Sequence, residues 1–519
     1  MKRILKYSQL LMMALLATSC SKELIDVEMG DLEEIREELK EVKSVSIRCT
    51  DATDGLKTLV FTHGERQKLQ LNMVATSTVP VTSNMSVNVV SDAELVKTYS
   101  ENTGIEYKLL PGMFYRFEEG NQFIIPYGAT QSPKQTLSIS NESKYGDVLT
   151  PGNYLLPLVD MIAKDKEQVY IEILVREKFE GDYPLYQDED KMFFVFYLNT
   201  GRFDPRLVTD FYLQETRQDW EAAIGNILNL RKSVVTSDED NNPVLVLYPD
   251  LKYVLENRDT YILPVQESGR KVCLCIEGGG KGLGFCNLTE DQIESLTDQI
   301  IRTLDRYHLQ GVNLWDRGTN YGLEGMPEMN TTSYPQFIKR LREKLGSNRI
   351  LTLVDFEEPT ASFWDKAACG GIEVGQYIDY AWSGYNKEQD GVQVIDPYHQ
   401  GMEGVSIKYP RKPILGLTPK KYGCVNVPWF GHSGASKPPY EDVKLWEKSD
   451  LRTNAIFVYE DISSNIQGSY EQATDPGKFL KELFNAKGQK PRIMFQWDVQ
   501  KIYNQEQGAG GYGKWKKNW

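Results

Sequence analysis

The chain has 519 residues, 40% of them hydrophobic and 25% charged, with a formal net charge of −14. That length exceeds one ordinary domain and predicts two, and the hydrophobic share is that of a soluble fold with a sizeable core. The acidic balance lacks the basic footprint that a phosphate backbone requires, so no nucleic-acid partner is expected.

At the N-terminus, Lys2, Arg3 and Lys6 precede an apolar run over 10–17, which ends in Ala17-Thr18-Ser19-Cys20. Basic, apolar and small-residue sections in that order predict a secretory signal over 1–19. The run is shorter than the ~20 residues needed to span a bilayer. A cysteine directly after small residues resembles the lipobox of bacterial lipoproteins, although Ala17 stands where that pattern prefers leucine. The resemblance implies a mature chain that begins at Cys20 and is held to the membrane by a lipid on that residue. Residues 20–44 are rich in Glu and Asp, with Leu32, Ile35, Leu39 and Val42 at helical spacing. They read as an acidic tether. Acidic residues after a lipobox also resemble the export signals of Bacteroidetes-type lipoproteins, which implies the outer membrane and the cell surface.

Residues 45–202 carry short runs of period two, such as 68–74 and 85–90. Turn pairs punctuate them: Asp54-Gly55, Pro111-Gly112 and Pro151-Gly152. This texture predicts an antiparallel β-sandwich. The segments Tyr107-Lys108-Leu109-Leu110-Pro111, Tyr115 and Tyr154-Leu155-Leu156-Pro157-Leu158 resemble the N-terminal domain of unknown function in Bacteroides endoglycosidase-type lipoproteins. The resemblance implies a spacer or a protein-docking module.

Over 203–487 apolar strands alternate with amphipathic helices. Strands are expected at 207–213, 244–248, 271–276, 311–315, 349–356, 377–382, 413–417 and 455–459. Helices are expected at 291–307, where Ile293, Leu296, Ile300, Ile301 and Leu304 form one stripe, and at 334–345 and 476–486. Eight such units predict an α/β fold, a (β/α)8 TIM barrel. Residues 488–519 form an aromatic and Gly-rich extension.

Three stretches of this second domain resemble endo-β-N-acetylglucosaminidases of glycoside hydrolase family 18. They are Lys271-Val272-x-Leu274-x-Ile276-x-Gly278 with Gly282-x-Gly284-Phe285-x-Asn287; Tyr307-x-Leu309-x-Gly311-Val312 with Tyr321-Gly322; and Ile378-Asp379-Tyr380-Ala381-Trp382-x-x-Tyr385. The family's fourth strand carries Asp-Gly-x-Asp-x-Asp-x-Glu. Laid on it, the four acidic positions fall on Gln310, Asn313, Trp315 and Arg317, and only the glycine, Gly311, remains.

Glycosidases need a carboxylic acid to protonate the leaving oxygen, and family 18 uses the substrate's own acetamide as nucleophile. The resemblance makes Arg317 the replacement of that acid and Trp315 the replacement of the aspartate that orients the acetamide. Arginine stays protonated, with a pKa above ~12, and cannot pass a proton on near neutral pH. Losing a general acid alone costs about 10²–10⁴ in rate. No catalytic residue is therefore expected.

What remains reads as binding equipment. Trp315 offers a ring face for a sugar, and Arg317 and Asn313 offer donors. Asp355, Trp382 and Glu277 stand at neighbouring strand ends, and Tyr385 matches a tyrosine that contacts the acetamide in active relatives. Asn313 also reads as a member of a core network. Asp316 alternates with its neighbours and is expected behind the wall, as a structural partner.

The expected ligands are N-glycans or other oligosaccharides containing N-acetylglucosamine. The resemblance adds an outer-membrane glycan importer as a partner. Competing readings are an active endoglycosidase with relocated acids, and a barrel kept for protein contact. Gly278-Gly279-Gly280-Lys281-Gly282 lacks the Ser or Thr of a Walker loop and reads as a flexible loop beside the cleft. Cys273 and Cys275 read as core residues, and the seven scattered cysteines and four histidines predict no metal site and no cofactor.

Overall fold

The structure is a computed structural model that describes residues 45–52, 55–161, 168–176, 193–215, 221–223, 225–384, 393–399, 410–427, 456–459, 493–497, 517 and 519. Cys20, the signal and tether, Tyr385, and the helix expected at 476–486 lie outside the described residues. The chain divides into two compact units, the first ending at Val175 and the second holding Arg176–Trp519.

The first unit is a β domain. A four-stranded sheet contains Val45–Cys49, Lys68–Ser77, Gln135–Ser140 and Tyr115–Phe117. A second sheet is built on Leu56–Thr62, Val169–Arg176, Gly152–Asp160, Met85–Ser91 and Gln122–Ile125. Alternate residues of both sheets enter one core: Ile47, Met73 and Ile139 from the first, and Phe61, Phe123, Leu156 and Ile171 from the second. The period-two runs at 68–74 and 85–90 are strands, as the alternation predicts. Tyr154 and Leu155 pair in parallel with Lys108 and Leu109, so the two Leu-Leu-Pro segments meet side by side.

The second unit holds a curled parallel sheet. Its strands are β1 (Phe193–Asn199), β2 (Ile227–Ser237), β3 (Lys271–Gly278), β4 (Gly311–Leu314), β5 (Ile350–Asp355), β6 (Tyr380–Ser383), β7 (Tyr422–Gly423), β8 (Val425–Val427) and β9 (Ile456–Tyr459). Pairing runs β8-β9-β1-β2-β3-β4-β5-β6-β7. The two ends of this order, β7 and β8, are separated in the chain by Cys424 alone, and the hydrogen-bonded ladder does not close across them. The sheet and its helices agree with an α/β barrel architecture in this curled, unclosed form.

Five of the eight expected strands are parallel members of this sheet, one joins it as an antiparallel strand, and two lie outside it. Over 207–213 the chain forms a short helix, Pro205–Asp210, and then Phe211–Glu215, which belongs to a separate three-stranded sheet. The run at 244–248 is Pro243–Leu247, an antiparallel partner of β2. The run at 413–417 is not a strand; Tyr422 to Val427 takes that place. The first two parallel strands are β1 and β2. β1 lies before the boundary expected at 202/203, so the second unit begins earlier than the sequence suggests. β2 was hidden because Arg231-Lys232 interrupts its apolar pattern. The register between β2 and β3 shifts between Leu230 and Ser233, an irregularity that accommodates this pair.

Helix α1 (Glu290–Arg306) forms because Thr289 and Gln292 cap each other reciprocally at its start. Its stripe Ile293, Leu296, Ile300, Ile301 and Leu304 is buried, as the spacing predicts. Helix α2 (Ser333–Leu345) follows β4. Gly311 is explained by packing: a Cβ there would lie 2.4 Å from the Ile350 carbonyl oxygen and 2.9 Å from Cys273 Sγ. The motif's glycine is thus needed by the strand contact itself, independently of any chemistry. At the far end of the chain, Trp519 stacks on Tyr253 at 5.6 Å and donates from Nε1 to Asp250 at 3.2 Å.

Candidate functional site

The strand pattern places four charged or aromatic side chains together, Arg231 from the irregularity within β2 and Glu277, Trp315 and Arg317 from where β3 and β4 end. Trp315 N donates to the Ile276 carbonyl at 2.9 Å, and Gly278 N to the Arg317 carbonyl at 2.9 Å. These bonds extend the β3–β4 ladder past the strand and set Arg317 beside Glu277. Arg317 Nε lies 2.9 Å from Glu277 Oε2, and Arg231 Nε lies 2.6 Å from Oε1. Glu277 is 4% exposed. Burial alone would push its carboxyl up, but the charges of Arg231 and Arg317 outweigh it and hold the group below the ordinary glutamate value.

The Arg317 guanidinium carbon also sits 3.5 Å from the centroid of the Trp315 ring, and that of Arg231 at 5.6 Å. Trp315 is 1% exposed, with Tyr197 edge-on at 5.2 Å. Its Nε1 has no hydrogen-bond partner among the described residues. The Trp315 ring, expected to present a face to a sugar, is enclosed in this structure, and a guanidinium covers it.

Asn313 and Trp382 form a second group, deeper in the sheet. Tyr197 Oη accepts from Trp382 Nε1 at 2.8 Å and donates to Asn313 Oδ1 at 2.9 Å. Asn313 Nδ2 donates to Thr352 Oγ1 at 2.9 Å. Asn313 is fully buried and Trp382 is 1% exposed. This is a satisfied interior network in which neither side chain reaches solvent, the core-network reading open to Asn313 in the sequence.

Asp355 forms a third group at the end of β5. Its oxygens accept from Arg411, from Thr360 Oγ1 at 2.7 Å and from Tyr422 Oη at 2.8 Å. Asp355 is buried, and Arg411 holds it from a different loop. Asp316 accepts from Thr319 Oγ1 at 2.5 Å, from Tyr321 Oη and from Cys286 Sγ at 3.5 Å. It is the buried structural partner that alternation predicts. Burial pushes its carboxyl above the usual range, against the pull of those donors.

The glycine loop is not a cradle of free amides. Gly278 N, Gly279 N and Gly282 N donate to the carbonyls of Arg317, Val235 and Thr319 at 2.9, 2.7 and 2.8 Å. Lys281 Nζ donates to the Ser237 carbonyl at 3.1 Å. The loop is bound to its neighbours where the sequence suggested a flexible one. Cys273 and Cys275 are buried and unbridged, and burial pushes both thiols up.

Arg231, Tyr197 and Arg411 are among the residues of these groups that escaped the sequence reading. Arg231 was available as a charge within an apolar run. Tyr197 and Arg411 carried no signal, because their partners are distant in the chain.

Comparisons with known proteins bear on this geometry. Over 148 residues the chain is 30% identical to an endo-β-N-acetylglucosaminidase of Flavobacterium sp. (strain SK1022), covering 28% of this chain and 46% of the relative. Over those residues it is similar to an endo-β-N-acetylglucosaminidase. It is 27% identical over 160 residues to endo-β-N-acetylglucosaminidase F1 of Elizabethkingia meningoseptica, covering 30% of this chain and 46% of that one. The aligned stretch thus spans about half the length of each relative. A family model described as an N-terminal domain matches residues 43–160. Among solved structures, EndoBT-3987 of Bacteroides thetaiotamicron, with a Man5GlcNAc product, matches with a TM-score of 0.42 and 16% identity, over 82% of this chain and 93% of that one. A chitinase of Rhizomucor miehei matches with a TM-score of 0.34 and 14% identity, over 56% of this chain and 99% of that one.

Proposed function

We propose that the chain is a surface lipoprotein, anchored through Cys20, that captures glycans containing N-acetylglucosamine, host N-glycans foremost, with a family 18-like barrel that does not hydrolyse them. The observation that carries this reading is the state of Arg317. A guanidinium stands where the family's proton-donating glutamate is expected. Its Nε is committed to Glu277 and its plane to Trp315. The sequence similarity to endo-β-N-acetylglucosaminidases supports the class of ligand.

Asp316, Glu277, Glu324, Asp355, Glu357 and Glu358 are the carboxylates near the strand ends that could serve as relocated acids, and the surroundings of Glu277 and Asp355 speak against those two. Glu277 lies between two guanidiniums that keep it ionised, so it has no proton to give near neutral pH. Asp355 accepts hydrogen bonds on both oxygens, one from an arginine. Contacts to a glycan then fall to the exposed edge of the cluster, where Arg317 retains a quarter of its side-chain surface. An importer complex in the same membrane would receive the captured glycan.

Calorimetry of the purified protein with released N-glycans tests this. Binding without any cleaved product is expected. Cleavage of the chitobiose core above the rate of a protein-free blank would overturn it. For the anchor, Cys20→Ala is expected to release the protein from the membrane fraction; retention there would remove the lipid from the proposal.

One observation favours a rival. Trp315 and Trp382 are both enclosed, so neither offers an open aromatic face among the described residues, as suits a barrel kept for protein contact. That rival predicts no heat with any glycan.

A further inference from the structure

Lys517 and Trp519 converge on one carboxylate of the second unit. Lys517 Nζ lies 2.5 Å from Asp250 Oδ1, and Trp519 Nε1 donates to the same oxygen at 3.2 Å. The indole is stacked on Tyr253, 13° from parallel at 5.6 Å, and meets Tyr261 edge-on at 5.0 Å. The Lys517 amide donates to the Arg202 carbonyl at 3.0 Å. These contacts span two segments. One is the turn after β1, which holds Arg202; the other is the helix Pro249–Glu256, which holds Asp250 and Tyr253. An ion pair between half-exposed side chains is weak alone. Here it shares its carboxylate with an indole whose ring is itself stacked, and the whole forms a clasp between the two segments.

The same two segments hold the backbone of Arg231-Lys232. The Arg231 carbonyl accepts from Thr200 N at 3.0 Å and from Thr200 Oγ1 at 2.9 Å, just before Arg202. The Lys232 carbonyl accepts from Tyr248 N at 3.1 Å, just before Asp250. Lys232 Nζ also lies 5.0 Å from the centroid of the Tyr248 ring.

That support matters because β3 does not supply it. Leu230 stands opposite Leu274 and Ser233 opposite Ile276, so the register with β3 skips Arg231 and Lys232. Such an irregularity re-aims a side chain. Here the guanidinium of Arg231 reaches Glu277 Oε1, with Nε at 2.6 Å, and lies over the Trp315 ring at 5.6 Å. The direction of this side chain therefore depends on carbonyl anchors that come from the turn after β1 and from the start of the helix at 249–256.

We propose that Lys517, Trp519 and Asp250 are positioning residues for Arg231. By tying the turn after β1 to that helix they hold the irregularity of β2, and through it the Arg231–Glu277–Arg317 cluster. They act through the backbone at Thr200 and Tyr248. The inference concerns the geometry of the cluster and does not rest on the ligand that the cluster meets.

The test is a double-mutant cycle in the full chain, read as unfolding constants from urea denaturation. Trp519→Leu is combined with Glu277→Gln and, as a control, with Glu294→Gln, whose partners Arg340 and Lys344 stand on α2. Distant sites that share no partner act independently, whereas linked sites do not. The factor by which Glu277→Gln raises the unfolding constant is expected to shrink about fivefold in the Trp519→Leu background. The Glu294→Gln factor is expected to be unchanged. Trp519→Phe keeps a ring on Tyr253 and is expected to retain most of the Glu277→Gln factor. An equal Glu277→Gln factor with and without Trp519 would overturn the proposal and leave the clasp a local brace. Equal shrinkage for both glutamates would also overturn it, because the clasp would then support the fold in general. If Trp519→Leu does not fold, the cycle is run with Lys517→Met, which leaves the indole in place, and the same outcomes decide.

Discussion

Arg317 lies flat against Trp315, its guanidinium carbon 3.5 Å from the ring centroid. The two side chains serve each other. The cation gains an aromatic face, and the indole gains a cover in a buried place. Arg317→Leu removes this contact and one of the two cations around Glu277. A cation–π contact contributes ~0.5–2 kcal/mol and a charged hydrogen bond ~1.5–3. A loss of about 2 kcal/mol in urea denaturation is expected. A loss below about 0.5 kcal/mol would mean that the stacked pair is incidental.

Glu277→Gln is expected to cost more. It leaves Arg231 and Arg317 facing each other across a neutral amide in a site that is 4% exposed. Breaking a buried pair by removing one partner costs ~3–5 kcal/mol, and partial exposure of the two arginines places the expected value at the lower end, about 3 kcal/mol. The pH dependence has a definite sign. The folded carboxyl is held below its ordinary value of 4.5, so its contribution is fully present above that value and is lost as pH falls toward the lower folded value. Wild type and Glu277→Gln should therefore converge in stability as pH falls below about 4.5. Parallel stability curves down to acid-unfolding conditions would contradict the ionised state.

Tyr197→Phe tests the interior network. It strips the partner from Trp382 Nε1 and from Asn313 Oδ1, both buried. Each orphaned group costs ~1–3 kcal/mol. A total near 3 kcal/mol is expected in chemical denaturation, with glycan affinity unchanged. A fall in affinity without a fall in stability would return Asn313 and Trp382 to the binding site.

Acid sensitivity is expected between α1 and α2. Burial opposes ionisation of Glu294, but its bonds to Arg340 and the Lys344 charge bring the carboxyl down to about 2. Its contribution is present above 4.5 and disappears between 4.5 and about 2. The side chain is 40% exposed, so solvent screening limits the effect to about 1 kcal/mol. Asp298, beside the same lysine, is shifted up by burial and acts with the opposite sign. The comparison of wild type with Glu294→Gln isolates the Glu294 part: the mutant's acid limb should be shallower over that window, by circular dichroism against pH.

Trp315→Ala illustrates why the buried site needs care. With the ring 1% exposed, truncation is expected to cost about 3–5 kcal/mol of stability through the cavity it leaves. Lost glycan binding in that variant would be read only beside its melting temperature. The gentler Trp315→Phe is expected to keep the fold and lower stability by about 1–2 kcal/mol. A variant as stable as wild type would show that the indole is not packed as described.

The sequence by itself determined the elements with strong local periodicity. The stripe of α1, the alternating runs of the first unit, and β3 through β6 follow from spacing that side chains cannot satisfy otherwise. It also puts a guanidinium at Arg317, which stays protonated near neutral pH in any fold. Tertiary structure decided the rest. β2 was unreadable because Arg231-Lys232 breaks its apolar run, and only its neighbour β3, carrying Glu277, explains a charge there. Ring burial was unreadable too: a tryptophan at a strand end is a sugar platform or a core residue according to what covers it. Trp315 is covered by Arg317. Arg317 is a near neighbour in the chain, but Arg231 and Tyr197, which complete the enclosure of Trp315, come from other strands that no local pattern records.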